Sequence, residues 1–337
     1  MVPLCLLSCA ASRQSGGPVS EYVLGTICTV NLFEKGKPEL YSKVFGRLAE
    51  LEGIFSANSE GTDLDTVNRN AGQRPVSVRP ELIEVLEKAL EYAEISGGYF
   101  EPSIGPLVKL WGIGTEAARV PGEGEIRDAL NLINYRDIVI NRAEGTVFLK
   151  RPGMALDLGG IAKGYAADEI ARLLAGEGVE RCIVDLGGNI FAAGERNAGK
   201  KAGHEESFWR IGIQDPRGNR GNYIGILRVK NKSVVTSGVY ERFFEKDGKR
   251  YHHIFSTKSG CPAENGLLSV TIIADLSIDA DALSTAAFAL GRERGSELIA
   301  LVPGSGGIFV SEDLTVRITP NLEKDFTLTA AEYHFGN

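Results

Sequence analysis

The sequence has no run of about 18 uncharged apolar residues, the minimum for a helix that crosses a membrane. It also lacks an excess of basic residues, and the formal net charge of -7 argues against a nucleic-acid-binding surface. We find no internal repeat and no low-complexity block. With 337 residues, 43% of them hydrophobic, the chain can form one large domain or two intertwined domains around a buried core.

Cysteine is scarce, with five residues in the chain. Cys28, Cys182 and Cys261 show no paired spacing, which excludes a disulfide framework and a zinc site, so we expect isolated buried thiols. The other two lie in residues 4–9, an apolar run that ends in a small residue and Cys9 and looks like a bacterial lipobox. The basic segment and the length of a full signal peptide are missing. We therefore interpret residues 1–20 as a lipoprotein leader remnant and flexible tether, and 21–337 as the functional domain.

Helices and strands alternate irregularly along the predicted domain, which favours an α+β fold over a doubly wound sheet. Apolar spacing predicts helices at residues 40–55, 81–96, 126–132, 163–175, 281–289 and 291–301. It predicts strands at residues 22–32, 137–140, 146–149, 181–184, 209–213, 224–229, 234–236, 252–255, 268–274 and 307–310, and an extended segment from 99 to 111.

Paired glycines join a buried strand to a helix within residues 157–168. Gly159 and Gly160 allow a tight turn, and free N–H groups at the helix start, together with Lys163, would attract a phosphate. The segment lacks both the Gly-x-Gly-x-x-Gly pattern and the Gly-Lys-Ser/Thr of a P-loop. Glycine spacing alone is equally compatible with an ordinary strand-to-helix turn.

A carboxylate and a hydroxyl share one face of the helix predicted at 281–289. Asp281 and Thr285 are four residues apart, and together they suit a hard cation such as Mg²⁺, which needs few protein ligands. Asp279 is a weaker candidate ligand. The same residue types are also favoured at a helix N-terminus by capping and by the helix dipole, which is the alternative interpretation.

Six ordered segments resemble the ApbE family of FAD:protein FMN transferases, and the resemblance extends from about residue 25 to 335. These segments are residues 157–168, 182–190, 212–217, 235–242, 253–262 and 281–285. The resemblance implies two interlocked α/β lobes with a flavin nucleotide in the groove between them. It also implies a magnesium-dependent reaction that moves FMN from FAD to a threonine or serine hydroxyl of another protein and releases AMP.

The resemblance assigns roles to individual residues. A magnesium ion would be held by Asp281, Thr285 and a backbone oxygen at Gly160 or Ala162. Lys163 would neutralise phosphate charge, and His253 would orient or deprotonate the acceptor hydroxyl, unless its neighbour His252 takes that position. The flavin nucleotide would contact Asn58, Tyr99, Phe100, Glu101, Asp157, Lys163, His253 and Ile254. Without the resemblance, Asp157 is a capping carboxylate and residues 99–101 are core packing before a proline turn.

The resemblance also implies partners and a location. The acceptors would be flavoprotein subunits of membrane redox pumps, and the protein would face the bacterial periplasm, anchored to the inner membrane by lipid on Cys9.

The sequence departs from the family pattern at two places. Ser256 and Thr257 stand where family members usually carry Asp-Pro, and Asn58 stands where they commonly carry an aromatic residue. A ring at position 58 could stack on the flavin, so its loss would loosen FAD or FMN. Two alternatives therefore stay open: hydrolysis of FAD to free FMN and AMP, and a lipid-anchored flavin-binding protein without turnover.

Overall fold

A computed structural model describes residues 17–33, 38–196 and 207–336. In these ranges the helices are α1 (Pro38–Phe55), α2 (Asp63–Arg69), α3 (Pro80–Ile95), α4 (Gly105–Trp111), α5 (Glu123–Leu130), α6 (Ala162–Gly176), α7 (Ser277–Leu290) and α8 (Arg292–Ala300). The strands are β1 (Val19–Val23), β2 (Thr26–Leu32), β3 (Val76–Ser77), β4 (Ile138–Asn141), β5 (Thr146–Leu149), β6 (Cys182–Leu186), β7 (Asn189–Ala193), β8 (Trp209–Gln214), β9 (Tyr223–Val229), β10 (Lys232–Gly238), β11 (Phe243–Lys246), β12 (Lys249–His252), β13 (Leu267–Ala274), β14 (Gly306–Ser311), β15 (Thr315–Ile318), β16 (Phe326–Leu328) and β17 (His334–Phe335).

A nine-stranded sheet organises the molecule, in the order β1-β2-β6-β7-β10-β13-β14-β15-β17. Its neighbours pair antiparallel except β15 and β17, which are parallel. Smaller sheets have the orders β16-β9-β8, β3-β5-β4 and β11-β12. Because antiparallel strands dominate and the helices do not alternate with them, the predicted α+β class is confirmed.

Two hydrophobic cores share this sheet, one on each face. On the paired strands β10 and β13, Val235 and Ile272 pack into a core with the helices α1, α3, α6 and α7. The adjacent pair, Val234 and Ile273, packs into a second core with β8, β9 and β16. Successive side chains of a strand point to opposite faces of the sheet, so apolar residues at consecutive positions contribute to both cores.

Helices α6 and α7 cross at very short range in the first core. A Cβ atom at Gly164 would lie 2.4 Å from the Ser277 carbonyl oxygen and 2.6 Å from Ile278 Cα. Asp168, one turn further along α6, accepts hydrogen bonds from the backbone N–H groups of Ser277 (2.8 Å) and Ile278 (2.9 Å). The carboxylate thus caps the N-terminus of α7 from the neighbouring helix.

Replacing Gly164 with alanine is expected to lower the free energy of unfolding by about 1–3 kcal/mol, because the added methyl group meets backbone atoms that cannot rotate away. Gly176→Ala in the same helix is the matched control, since a Cβ there has nothing within 4 Å. Its higher helix propensity should leave stability unchanged or raise it by up to about 1 kcal/mol. Urea denaturation followed by circular dichroism measures both variants, and equal stabilities would contradict the close crossing.

Several predicted elements are corrected by the structure. The strand predicted at 22–32 is a hairpin, because Leu24 (φ 56°) and Gly25 (φ 68°) form a turn that the apolar pattern hides. The segment predicted as extended at 105–111 is α4, which carries a proline in its first turn, where the fixed φ angle suits a helix. Strand β12 ends at His252, so residues 253–255 lie outside it.

The beginning of the chain is only partly described. Residues 1–16, which include the predicted lipid-bearing Cys9, lie outside the described ranges. The last two residues of the predicted tether, Val19 and Ser20, are paired in the sheet with Val30 and Thr29. None of the helices in the described part of the chain has the length and apolar character needed to span a bilayer.

Candidate functional site

One cleft of about 1330 Å³ opens between the glycine turn before α6, the helix α7 and the loop after β12. It is larger than most small-molecule pockets, which measure about 300–1,000 Å³. The structure brings together in its lining the site residues predicted from the sequence, except the weaker candidate Asp279. They are Asn58, Tyr99, Phe100, Glu101, Asp157, Gly160, Ala162, Lys163, His253, Ile254, Asp281 and Thr285.

The glycine turn is braced by its own side chains. Asp157 Oδ1 accepts a hydrogen bond from the Gly159 N–H at 2.9 Å, so this carboxylate both closes the turn and lines the cleft. Lys163 Nζ donates to the Gly159 carbonyl at 3.0 Å and lies 4.0 Å from Asp281 Oδ1. The Lys163 ammonium group is therefore held at the cleft wall beside a carboxylate.

Fewer backbone N–H groups are free at the start of α6 than the sequence predicted. The Ala162 N–H donates to the Leu158 carbonyl at 2.9 Å, and the Gly164 N–H donates to Asp281 Oδ2 at 2.9 Å. An acidic side chain from α7 thus occupies a position at the helix N-terminus where we expected a phosphate. The close crossing at Gly164 brings Asp281 to the helix start, so the N–H groups of Ala162 and Gly164 are engaged within the fold.

The residues predicted to bind a metal ion lie against one another. Asp281 is 3% exposed, and Thr285 follows one turn later on α7. A Cβ atom at Gly160 would lie only 2.9 Å from Thr285 Oγ1, so the backbone of the glycine turn reaches the Thr285 hydroxyl. Ala162 lines the same wall. Since α7 begins at Ser277, Asp281 lies beyond its first turn, and helix capping does not explain this residue.

This donor set suits a small hard cation. Burial raises the pKa of Asp281, and the Lys163 charge, 4.0 Å from Asp281 Oδ1, opposes that shift. No cluster of three His, Cys, Asp or Glu side chains in the described ranges could hold a metal ion. A site with one carboxylate, one hydroxyl and backbone carbonyls leaves the remaining positions to water and ligand oxygens, which Mg²⁺ accepts.

Asp279 does not belong to this site. Its Oδ1 accepts a hydrogen bond from the Tyr92 hydroxyl at 2.8 Å and lies 3.3 Å from Lys88 Nζ. It is absent from the lining of the cleft. Asp279 lies two positions before Asp281 on the helix, so its side chain points about half a turn away from that of Asp281. This orientation excludes Asp279 as a ligand of the same ion.

His253 has one ring nitrogen engaged and one available. The Arg242 carbonyl oxygen lies 3.2 Å from the backbone nitrogen of His253 and 3.2 Å from its Nδ1. Because a carbonyl oxygen only accepts, Nδ1 carries the proton and Nε2 keeps a lone pair. The surrounding protein, and next the Arg242 charge, lower the pKa of His253 to about 3. The ring is therefore neutral at physiological pH.

The adjacent His252 is a structural residue. Its Nε2 donates to the Ala263 carbonyl at 3.0 Å, and its Nδ1 accepts from the Ile254 N–H at 3.3 Å. The ring packs edge-on against Phe288. Both nitrogens of this buried ring are thus engaged away from the cleft, which leaves His253 as the histidine that lines it.

Residues 99–101 line the cleft, yet they also support the fold. Phe100 is 5% exposed and packs edge-on against Tyr92. The Tyr99 hydroxyl accepts a hydrogen bond from Arg294 at 2.9 Å. The Glu101 carboxylate accepts from the N–H and hydroxyl of Ser103 and from the Tyr135 N–H, which anchors this loop. The Glu101 carboxylate is engaged within the fold instead of being available for a ligand.

The two departures from the family pattern have different consequences. Asn58 is exposed and lies on the cleft wall, where a ring could face a ligand. The Ser256 hydroxyl accepts hydrogen bonds from the N–H groups of Lys258 (3.3 Å) and Ser259 (3.4 Å), and Thr257 Oγ1 donates to the Gly98 carbonyl at 2.8 Å. The turn after Ile254, itself a buried part of the lining, is therefore closed without Asp-Pro.

Sequence reasoning missed several charged residues of the cleft. Glu241 keeps solvent-exposed surface, but the cleft walls surround it, and this burial raises its pKa to about 7 while the Lys163 charge opposes the shift. Arg220 and Arg242 line the same cleft and form no ion pair with any residue that the structure describes. Glu241 and Arg242 lie in the resembling segment 235–242, whereas the only sequence signal for Arg220 was a position in a loop that follows a strand, where functional groups concentrate.

Comparison with known proteins shows the family. The model of the ApbE family matches residues 24–308. A curated relative from Treponema pallidum (strain Nichols), "FAD:protein FMN transferase", is 40% identical over 336 residues, which cover 95% of this chain and 93% of the relative. A relative of the same name from Klebsiella pneumoniae (strain 342) is 36% identical over 294 residues, which cover 87% of this chain and 89% of the relative.

A solved structure agrees with this assignment. The ApbE protein of Thermotoga maritima superposes with a TM-score of 0.81 at 31% identity, covering 91% of this chain and 98% of that protein. The sequence and the fold are thus matched over nearly the whole chain, which belongs to the ApbE family.

Proposed function

We propose that this protein transfers FMN from FAD to a threonine or serine hydroxyl of an acceptor protein, releases AMP and depends on Mg²⁺. The observation that carries the proposal is that one cleft combines two kinds of chemical group. Asp281, Thr285 and Lys163 suit phosphate with a cation. The neutral ring of His253 suits a hydroxyl that must lose its proton. The names of the relatives support this choice.

The proposed reaction is a phosphoryl transfer, in which one bond to the FMN phosphorus forms and one breaks. The acceptor hydroxyl oxygen attacks the FMN phosphorus, the bond from that phosphorus to the AMP oxygen breaks, and AMP leaves. His253 Nε2 takes the hydroxyl proton, because Nδ1–H is fixed on the Arg242 carbonyl. Positioning and charge neutralisation supply most of the catalysis in this class of reaction.

The negative charge of the phosphates requires compensation from the wall that carries Asp281, Thr285 and Lys163. Asp281, Thr285 and backbone oxygens at Gly160 and Ala162 would hold Mg²⁺, which supplies positive charge for the pyrophosphate oxygens. Lys163 adds a second positive charge at the same wall. Phosphate beside His253 would raise the pKa of His253 above its ligand-free value, since a nearby negative charge favours the imidazolium, and would make it a stronger base.

The acceptor and the location are part of the same proposal. The acceptors would be flavoprotein subunits of membrane redox pumps, and the enzyme would face the periplasm with a lipid on Cys9. The run at residues 4–9 supports the anchor.

One incubation separates the proposed function from its alternatives. The protein is mixed with FAD and Mg²⁺, with and without an acceptor protein, and AMP and protein-bound flavin are measured. AMP and bound flavin that appear only with the acceptor support transfer. AMP without acceptor indicates hydrolysis, and no AMP under either condition contradicts both enzymatic functions.

Hydrolysis is the second candidate, and the exposed Asn58 on the cleft wall favours it. Asn58→Tyr is expected to strengthen FAD binding and to slow multiple-turnover hydrolysis by several-fold to about tenfold, because one aromatic stack contributes about 1 kcal/mol. Fluorescence quenching gives the FAD affinity and chromatography gives the AMP release. Asn58→Gln, which adds length without a ring, is the control and should change neither quantity. If the tyrosine variant behaves like the glutamine variant, residue 58 does not face the flavin.

A further inference from the structure

Asn189, the first residue of β7, is a buried polar side chain with no assigned role. It is 1% exposed and lines the cleft. Its Oδ1 accepts a hydrogen bond from the Ser277 hydroxyl at 2.5 Å, which fixes the orientation of the amide. Its Nδ2 makes no hydrogen bond of normal geometry with any residue that the structure describes. An unsatisfied buried donor destabilises the fold, so a native protein keeps one for a reason.

The environment of Asn189 indicates that reason. Ser277 and Asp281 are four residues apart on α7 and so share one face of the helix. Asn189 contacts Ser277 through Oδ1, which leaves Nδ2 on the other side of its amide group. Asn189 and Asp281 both line the cleft, so the unpaired Nδ2 and the carboxylate belong to the same wall region.

We propose that Asn189 is a positioning residue for Asp281, an inference that rests on the proposed magnesium-dependent function. The Ser277 hydroxyl holds the Asn189 amide, so that the unpaired Nδ2 is available to the Asp281 carboxylate, and the Gly164 N–H holds Asp281 Oδ2 at 2.9 Å. Two donors from two different elements thereby restrict the rotation of the carboxylate. The oxygen lone pairs that remain are presented to a cation in the cleft. Substitution of a residue that hydrogen-bonds to a metal ligand typically changes metal affinity about 10- to 100-fold.

The test compares metal binding in matched variants. Asn189→Ala removes the bridge, and Asn189→Asp keeps the size but replaces the donor with a carboxylate oxygen. Ser233→Ala is the control, because Ser233 is also fully buried in the sheet, donates to the Ile190 carbonyl and does not line the cleft. Mn²⁺ binding is titrated by electron paramagnetic resonance without FAD, and the midpoint of thermal unfolding is measured on the same samples.

Asn189→Ala is expected to weaken Mn²⁺ binding about tenfold or more while the control binds like the wild type. In Asn189→Asp the added oxygen can itself serve as a ligand. The affinity of this variant for Mn²⁺ should therefore differ from that of the alanine variant. Wild-type affinity in both Asn189 variants overturns the positioning role and leaves the proposed function intact. A wild-type protein that binds no Mn²⁺ and releases AMP without divalent ions overturns the magnesium site itself, and this inference with it.

Discussion

Asp281→Asn is expected to reduce Mg²⁺-stimulated AMP release about 100-fold or more, because it removes the charge that the other candidate ligands, a hydroxyl and carbonyls, cannot replace. Asparagine keeps an oxygen that can accept the Gly164 N–H bond, so the contact between α6 and α7 survives. Asp281→Ala should lose activity and also unfold more easily, since the buried Gly164 N–H loses its acceptor. AMP release at a series of Mg²⁺ concentrations measures the first effect, and thermal unfolding measures the second.

Asp279→Asn is the matched control for this experiment. Asp279 is an aspartate on the same helix, but it contacts Tyr92 and Lys88 outside the cleft. Its substitution should leave the dependence on Mg²⁺ unchanged and lower stability only slightly. Full AMP release by Asp281→Asn would remove Asp281 from the metal site.

His253→Ala is expected to slow transfer of FMN to the acceptor about 100- to 10,000-fold, the usual contribution of a general base, while FAD affinity changes little. Since the pKa of His253 is about 3 in the free protein, the ring stays deprotonated as the pH falls from 8 to 5. The second-order rate constant kcat/KM of the wild type should therefore show no acid limb from His253 in that range. Bound flavin on the acceptor is measured by in-gel fluorescence, and FAD affinity by quenching.

His252→Gln is the control for the histidine experiment. The His252 ring holds the Ala263 carbonyl and the Ile254 N–H, so its loss should lower the unfolding temperature but spare the transfer rate per folded molecule. Equal losses of FAD binding and of transfer in His253→Ala would instead make His253 a binding residue.

The two predictions concern different partners in the proposed reaction, the phosphate and the acceptor hydroxyl, and this distinguishes them experimentally. Asp281 acts on the phosphate side, so its loss should impair AMP release with or without an acceptor. His253 acts on the hydroxyl side, so its loss should impair transfer most when an acceptor is present. A protein that hydrolyses FAD would lose activity in both variants, because water must also give up a proton.

The sequence predicted well those features that depend on neighbouring residues. Helices α1, α3 and α6 follow from apolar residues at three- and four-residue spacing, and Gly97 and Gly98 after α3 mark where it ends. The ordered segments contain most of the proposed residues that the structure gathers in the cleft, and Asn58 and residues 99–101 were proposed from other parts of the family resemblance. By contrast, the turn at Leu24 and Gly25 and the helix α4 were missed, because short apolar runs fit both a strand and a helix.

What the sequence determined by itself is therefore the α+β class, the principal helices and a set of candidate site residues. Only the tertiary structure decided between chemically identical neighbours. It separated His253 from His252 and Asp281 from Asp279, and it placed Asn189 against Ser277, which is 88 residues away. Adjacent side chains of an extended segment point in opposite directions, and which of them faces the cleft depends on pairing and packing between distant segments, which no local pattern contains.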